Sequence, residues 1–217
     1  MLSQLQDHLT RIYRVDPGYD VSDFLITDPL LAKTLAGSSL ISGTDESVLV
    51  QEDDDGLALS VFLDSDLLER LNANNPLSGL RADQLADLWT VLEGISHFNY
   101  IAWSARKNRR ISLLELEMQA EIDKFVSALF LALHQEDTGL VDNIHRWLFD
   151  EVTFNPQLSQ DQRERYVTAN QYAARFCHGL HERLSKDNYL ELRELRQFYR
   201  LSQREKISHI HSQSFAH

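Results

Sequence analysis

The sequence predicts a mainly α protein, namely a helical bundle with a long antiparallel helical hairpin and a small N-terminal α+β part that contains a β-hairpin. From residue 81 onward, apolar side chains recur at the spacing of amphipathic helices. Before that point, "ESVLVQEDDDGLALSVFLD" is the one stretch with the signals of two β-strands and a tight turn. We therefore predict an α+β part at 1–75 and a bundle at 76–217, which can also form one continuous domain.

The N-terminal part is predicted to begin with a helix and to end in a hairpin. A first helix is indicated by the helical spacing of Leu2, Leu5, Leu9 and Ile12. Residues 17–46 are expected to form a loop with one short helix at "LLAKTLAG". The hairpin covers 47–63, with Gly56 at its turn. Because a lone hairpin is marginal in water, we expect it to pack on the helices, with a further strand from "FLIT".

The bundle is predicted to contain two long helices followed by shorter ones. The first covers "RADQLADLWTVLEGISHFNYIAWSA", with Gly94 as a tolerated interior glycine. After the loop "RKNRR", a second long helix covers 112–135 and is apolar almost all round over 125–133, which is typical of a central helix. The remaining elements are shorter helices at "GLVDNIHRWLFDEV", from Ser159 and over 187–199, and then a tail from Ser202.

Composition and charge exclude several classes of function. The chain has 21 Lys and Arg against 33 Asp and Glu, a formal net charge of -12. An acidic surface repels phosphate at long range, so neither nucleic acid nor an anionic membrane is the expected partner. Cys177 is the only cysteine, which leaves no intramolecular disulfide and suits a reducing cytosol. The N-terminus lacks a signal-peptide pattern and no long apolar run occurs, so we expect a cytoplasmic protein.

The stretch "RISLLELEMQAEIDKFVSALF" carries four carboxylates, and we interpret each of them separately: Glu115, Glu117, Glu121 and Asp123. Ser112 and Glu115 fit the capping-box pattern S-x-x-E, so we assign Glu115 to capping the second long helix. On a helical wheel, Asp123 falls on a different side, which we interpret as solvated. Glu117 and Glu121 remain, and they lie on one narrow polar stripe of this helix.

The preceding helix carries a matching polar side, formed by Glu93, His97, Tyr100 and Ser104, that is free of Lys and Arg. Because the loop between the two long helices is short, they are expected to be antiparallel neighbours. With the turn centred near residue 108, positions at equal height have numbers that sum to roughly 217. The pairs predicted at equal height are Glu93 with Lys124, His97 with Glu121, and Tyr100 with Glu117.

Two interpretations of this polar level are open. In the first, a divalent metal or acid–base enzyme site is formed by Glu93, His97, Glu117 and Glu121, and the catalytic candidates are His97, Glu93 and Tyr100. In the second, the same residues form a ladder of ion pairs along the bundle rim, each worth about 0–1 kcal/mol if exposed. The ladder is favoured because charged stripes are commonly solvated and because the E-x-x-H motif of di-iron bundles is not met.

Two further patterns suggest binding sites. "ARKNRR" is a basic patch that could bind nucleic acid or an acidic partner, although cations at a helix C-terminus are also stabilised by the helix dipole; its residues are Arg106, Lys107, Arg109 and Arg110. "CHGLH" places Cys177 and His181 at a spacing that can bind zinc. A small buried cysteine beside surface histidines is the favoured interpretation of the second pattern, because no second ligand pair with a regular spacing follows and Gly179 weakens the helix there.

The function that these observations favour is a non-enzymatic, cytoplasmic protein-interaction or regulatory module without a cofactor. P-loop, G-x-G-x-x-G, G-x-S-x-G and H-E-x-x-H patterns do not occur. Aromatic-rich segments such as "HFNYIAW" and "HRWLF" suit association with a partner, and a homodimer is the commonest assembly. The alternatives are a metal- or acid–base-dependent enzyme at the His/Glu level and, third, nucleic-acid binding through the loop at 106–110.

Overall fold

The computed structural model describes residues 1–37, 44–53, 56–178, 180, 183 and 188–213. Within these residues lie nine α-helices and one small three-stranded sheet, so the predicted mainly α fold with an N-terminal hairpin is confirmed. The hairpin tip at 54–55 and the zinc candidate His181 lie outside the described residues. No helix in the described part of the chain combines the length and the apolarity that crossing a membrane requires.

The helices, in chain order, are α1 (Leu2–Tyr13), α2 (Pro29–Ala36), α3 (Ser65–Ala73), α4 (Leu85–Arg106), α5 (Leu113–His134), α6 (Thr138–His145), α7 (Gln160–His178), α8 (Asn188–Tyr199) and α9 (Gln203–Gln213). The strands are β1 (Leu25–Ile26), β2 (Glu46–Asp53) and β3 (Gly56–Leu63). Short 3-10 turns precede β1 at Val21–Phe24 and α4 at Ala82–Gln84, and a π turn follows α6 at Arg146–Asp150.

Side-chain caps explain where several helices begin. Asp28 accepts hydrogen bonds from the first backbone N–H groups of α2, and Pro29 follows at the position where a missing N–H costs nothing. Asp64 caps α3, Ser112 caps α5 and Asp137 caps α6 in the same way. These local signals lie in the sequence itself, and the predicted start of the second long helix at Ser112 agrees with the start of α5.

The sheet packs against α4 at a glycine. Its central strand β3 pairs in parallel with β1 and antiparallel with β2, so the further strand predicted from "FLIT" is also confirmed. A Cβ atom at Gly94 of α4 would lie 3.2 Å from both Glu46 Cγ and Val61 Cγ1. Gly94 is therefore more than a tolerated interior glycine, because a Cβ at these distances would force the neighbouring side chains of the sheet to move by a few tenths of an ångström.

The helix α5 is the centre of the bundle, as its apolar surface predicts. Sixteen of its 22 residues are buried. The surrounding hydrophobic core contains Leu5 of α1, Val61 of β3 and Leu195 of α8, so residues from both sides of position 75 contribute to it. The segment from Ser202, predicted as a tail, is instead mostly the helix α9. Its start is capped because Glu205 accepts the Ser202 N–H at 2.8 Å.

Candidate functional site

The polar level between α4 and α5 lies inside the protein. His97 is 7% exposed and Glu117 is 6% exposed, whereas a rim ladder would be solvated. The periodicity of α4 and α5 could not predict this burial, because β2 packs over α4 and α7 packs over α5. The ion pairs at this level are therefore desolvated, and the small energies of exposed pairs do not apply to them.

The equal-height rule predicts one of the three cross-helix pairs correctly. Lys124 Nζ donates to Glu93 Oε2 at 3.0 Å, as expected. His97 Nε2 lies 3.4 Å from Glu117 Oε2 rather than beside Glu121. Tyr100 donates its hydroxyl to Glu115 Oε1 at 2.5 Å rather than to Glu117. Long side chains easily span an offset of two or three residues, about 3–4.5 Å of helical rise, so height alone does not select the partner.

Glu46, the first residue of β2, joins this level from the sheet. Its Oε1 atom lies 3.7 Å from His97 Nδ1. Glu46, Glu93 and His97 each offer one possible metal-ligand atom, and these three atoms lie within 4.8 Å of one another. The sequence contains no signal for this contact, because strand and helix periodicities show which face is buried but not what it packs against.

A cation from α7 completes the group that we name the carboxylate cluster. Its members are Glu46, Glu93, His97, Glu117, Glu121, Lys124 and Arg165. Arg165 Nε lies 3.7 Å from Glu117 Oε1. Lys124 Nζ donates to Glu121 Oε1 at 2.6 Å in addition to its bond with Glu93. Arg165 was not predicted, and its neighbour Tyr166 has a pKa raised by burial and by the nearby carboxylates.

The carboxylate cluster carries an excess of negative charge. Four carboxylates face the two permanent cations Lys124 and Arg165, which leaves two negative charges when His97 is neutral. Burial raises the pKa of Glu46 and of Glu121, as expected for acids that are incompletely compensated. Burial also acts on Glu93, but Lys124 and His97 outweigh it and lower the pKa of this carboxyl.

The protonation of His97 is controlled by the carboxylates around its ring. Burial by itself disfavours the imidazolium form. The carboxylates of Glu117 and Glu46 outweigh burial and raise the pKa of His97 well above its usual value. The cluster therefore attracts positive charge to this ring position, whether as a proton or as another cation.

Asp123 belongs to a second buried group, so the predicted solvated side is wrong. The carboxylate is 1% exposed and accepts hydrogen bonds from Ser96 Oγ at 2.6 Å and Gln119 Nε2 at 2.7 Å. Burial raises its pKa to about 6. Helical periodicity placed this side correctly relative to the apolar stripe, but it could not show that other parts of the fold would cover it.

Glu115 caps α5 only in part. Its backbone N–H donates to Ser112 Oγ at 3.1 Å, as predicted. The carboxylate does not return to the Ser112 N–H. It forms an ion pair with Arg109 and accepts the Gln203 N–H of α9 at 3.1 Å, besides the Tyr100 hydroxyl. Glu115 thus fastens the start of α9 to the bundle.

Lys206 of α9 is a charged residue whose burial no pattern in the sequence indicates. It is fully buried, and its ammonium donates to Gln119 Oε1. Nζ lies 4.7 Å from the centre of the Tyr100 ring and 5.1 Å from that of Phe198. Burial lowers the pKa of Lys206 to about 7. Polar neighbours in the sequence predicted an exposed tail here, and only the tertiary contact reveals the burial.

The predicted basic patch of the loop at 106–110 is divided by the fold. Arg106 Nη1 lies 3.1 Å from Asp16 Oδ2, and Arg109 turns inward to Glu115. Lys107 and Arg110 are exposed. Cys177, from the zinc pattern, is buried, and burial raises the pKa of its thiol well above the usual value, which agrees with the simpler interpretation of a packed cysteine.

The structure brings four of the predicted site residues together in the carboxylate cluster, namely Glu93, His97, Glu117 and Glu121. Tyr100 instead lies with Glu115 and Lys206. The cluster gains Glu46 and Arg165, which come from distant parts of the chain. Comparison with known proteins found no family model, no curated protein and no solved structure that matches this chain.

Proposed function

We propose that the protein binds a divalent metal ion, with Glu46, Glu93 and His97 as ligands. The observation that carries this proposal is the convergence of their ligand atoms to within 4.8 Å. Glu46 Oε1 is also buried and accepts no hydrogen bond from any residue that the structure describes. Two carboxylates and one imidazole form a donor set that suits Mn²⁺, Fe²⁺ or Zn²⁺.

The orientation of His97 supports metal binding. One ring nitrogen, Nδ1, points toward Glu46, and the other, Nε2, lies 3.4 Å from Glu117. Metal-binding histidines commonly direct their second ring nitrogen at a carboxylate, which fixes the tautomer and the ring plane. Glu117 has this position, and Arg165 lies on the other side of Glu117.

The charge of the cluster supports the same proposal. A metal that binds His97 replaces the proton of the ring, and four carboxylates and two cations then leave two negative charges in a desolvated place, which a divalent ion compensates. Lys124 bridges Glu93 and Glu121 through its ammonium group and so fixes the position of the Glu93 carboxylate. The ligands come from a strand and a helix, so binding would also fasten β2 to α4.

Metal content tests this proposal directly. Protein purified without a chelator is expected to contain close to one equivalent of a transition metal, measured by inductively coupled plasma mass spectrometry. Glu46→Gln removes one ligand charge with little change of shape, and we expect at least a tenfold weaker affinity for Mn²⁺ or Zn²⁺ by calorimetry. Glu69→Gln, at an exposed position of α3, is the matched control and should bind like the wild type.

Two results would contradict metal binding at this place. One is less than about a tenth of an equivalent of metal together with no thermal shift on adding Mn²⁺, Fe²⁺ or Zn²⁺. The other is an unchanged affinity of Glu46→Gln for Mn²⁺ or Zn²⁺, which would mean that the metal binds to other ligands.

A second candidate function, protein interaction through self-association, is favoured by the surface of α2. Leu30 is 75% exposed, Leu31 46% and Leu35 55%, and Ala32 is the one buried residue of this fully described helix. Such a group of exposed leucines marks an interaction surface. The aromatic segments predicted for this role lie largely in the core instead, since Phe98, Tyr100 and Phe149 are buried.

The partner that we propose for this surface is a second copy of the chain. Residues 29–36 contain one lysine and no acidic side chain, on a protein with a net charge of -12. The acidic side chains that make two copies repel each other are therefore absent from α2 itself, and an apolar patch is self-complementary across a two-fold axis.

Light scattering tests the self-association. At tens of micromolar, the wild type is expected to have the mass of a dimer, and the double variant Leu30→Glu, Leu35→Glu that of a monomer, because it introduces like charges into the contact. Leu113→Glu, at another exposed leucine, controls for the loss of apolar surface. A monomeric wild type, or equal dissociation of the control, would rule out this contact.

A further inference from the structure

Two adjoining clefts lie where the end of α1 meets α8 and the end of α4. Their volumes are about 560 and 280 Å³, and both are lined by Arg14 and Arg200. We name them the arginine clefts. They lie apart from the carboxylate cluster and share no residue with it.

The arginine clefts concentrate positive charge on an acidic protein. Among the described residues that line them, the cations are Arg14, Arg106, Lys107, Arg193, Arg196 and Arg200, and the one acid is Asp16. The clefts contain six of the 21 Lys and Arg residues of the whole chain, but one of its 33 Asp and Glu residues. Charge of one sign in a concave surface raises the local concentration of the opposite ion.

The fold holds this arrangement in place from the end of α1. Arg196 Nε donates to the Ile12 carbonyl at 2.9 Å, and Arg200 Nη2 donates to the Arg14 carbonyl at 2.9 Å. These bonds satisfy carbonyl groups at the C-terminus of α1 and fix Arg196 of α8 and Arg200, the residue that follows α8. Arg193 and Arg196 share one face of α8 because they are three residues apart, and Arg200 lies directly beyond the end of this helix. The sequence "RELRQFYR" carries this signal.

We propose that the arginine clefts bind a compact polyphosphate. Guanidinium groups match phosphate oxygens in pairs and keep their charge at any physiological pH, which favours phosphate over weaker anions. Arg14, Arg106, Lys107 and Arg193 are exposed and so accessible to a ligand. A compact ligand is favoured over nucleic acid because a long polyanion would extend beyond the clefts onto a surface with a net charge of -12.

Calorimetry with inorganic triphosphate tests this proposal on the full chain. Divalent metals are left out, so that the result does not depend on the metal site. We expect saturable binding at about 20 mM salt and at least tenfold weaker binding at about 200 mM salt. The double variant Arg14→Gln, Arg193→Gln is expected to lose at least tenfold in affinity. Both side chains are exposed, so its thermal unfolding should match that of the wild type.

The control variant is Arg11→Gln, which removes one positive charge about one turn before Arg14 and outside both clefts. It should bind triphosphate like the wild type. The proposal is overturned by an absence of saturable binding at low salt, or by an equal loss of affinity in Arg11→Gln. Tighter binding of a single-stranded oligonucleotide than of triphosphate would also overturn it, because a nucleic-acid surface would then be indicated.

Discussion

Replacing Lys124 with methionine is expected to destabilise the fold by about 3–5 kcal/mol. The ammonium is buried and donates to Glu93 at 3.0 Å and to Glu121 at 2.6 Å. Methionine preserves most of the volume but leaves two buried carboxylates without their cation, in a cluster that already carries excess negative charge. Urea unfolding at pH 7 measures the loss as a lower midpoint with an unchanged slope.

The pH dependence of this loss gives a second check. Without Lys124, the folded-state pKa of Glu93 rises above the unfolded value, and that of Glu121, which is already raised in the wild type, rises further. The variant therefore loses stability as pH increases above the unfolded value. The difference between wild type and variant should therefore shrink toward pH 4. Lys107→Met, at an exposed site at the end of α4, is the control and should change stability by less than about 0.5 kcal/mol. A loss below about 1 kcal/mol in Lys124→Met would mean that water screens the cluster.

The wild type is expected to become more stable as pH increases above about 7, and the variant Lys206→Met is expected to lack this increase. Burial lowers the folded-state pKa of this lysine to about 7, from 10.5. Between these two values the unfolded chain binds more protons than the folded chain, so the wild type gains stability as pH increases, by up to a few kcal/mol. The variant has no group to deprotonate there and should be at least as stable as the wild type at pH 7.

Unfolding by urea at pH 7, 8, 9 and 10 measures this difference between the two proteins. Cys177 acts in the opposite direction, because its raised pKa lowers stability as pH increases, but it is common to both and cancels. Lys107→Met again serves as the control, since an exposed lysine should keep the wild-type slope. Parallel pH curves for wild type and Lys206→Met would show that the ammonium is compensated in the fold and not penalised by burial.

The contacts around Lys206 explain why such a penalty is tolerated. Three aromatic rings surround the ammonium, and Glu115 and Asp123 favour its charge. The same group of residues holds α9 against α5 through Gln119 and Gln203. We therefore expect the buried lysine to favour one way of docking α9, as buried polar groups do in some other folds.

The sequence by itself determined the elements and part of their pairing. Capping signals determine the helix starts at Asp64 and Ser112, and turn signals determine the hairpin. Periodicity indicates the central place of α5, and all of these signals act over a few residues. The short loop between α4 and α5 was sufficient to predict the contact of Glu93 with Lys124.

Only the tertiary structure decided which polar sides are covered. Packing of the sheet at Gly94 brings Glu46 to His97, α7 brings Arg165 to Glu117, and α9 places Lys206 over Gln119. Each of these contacts joins residues far apart in the chain, and burial depends on what covers a face rather than on the pattern of that face. For this reason the sequence identified Glu93, His97, Glu117 and Glu121 as one level, but it could not show that the level is a desolvated cluster.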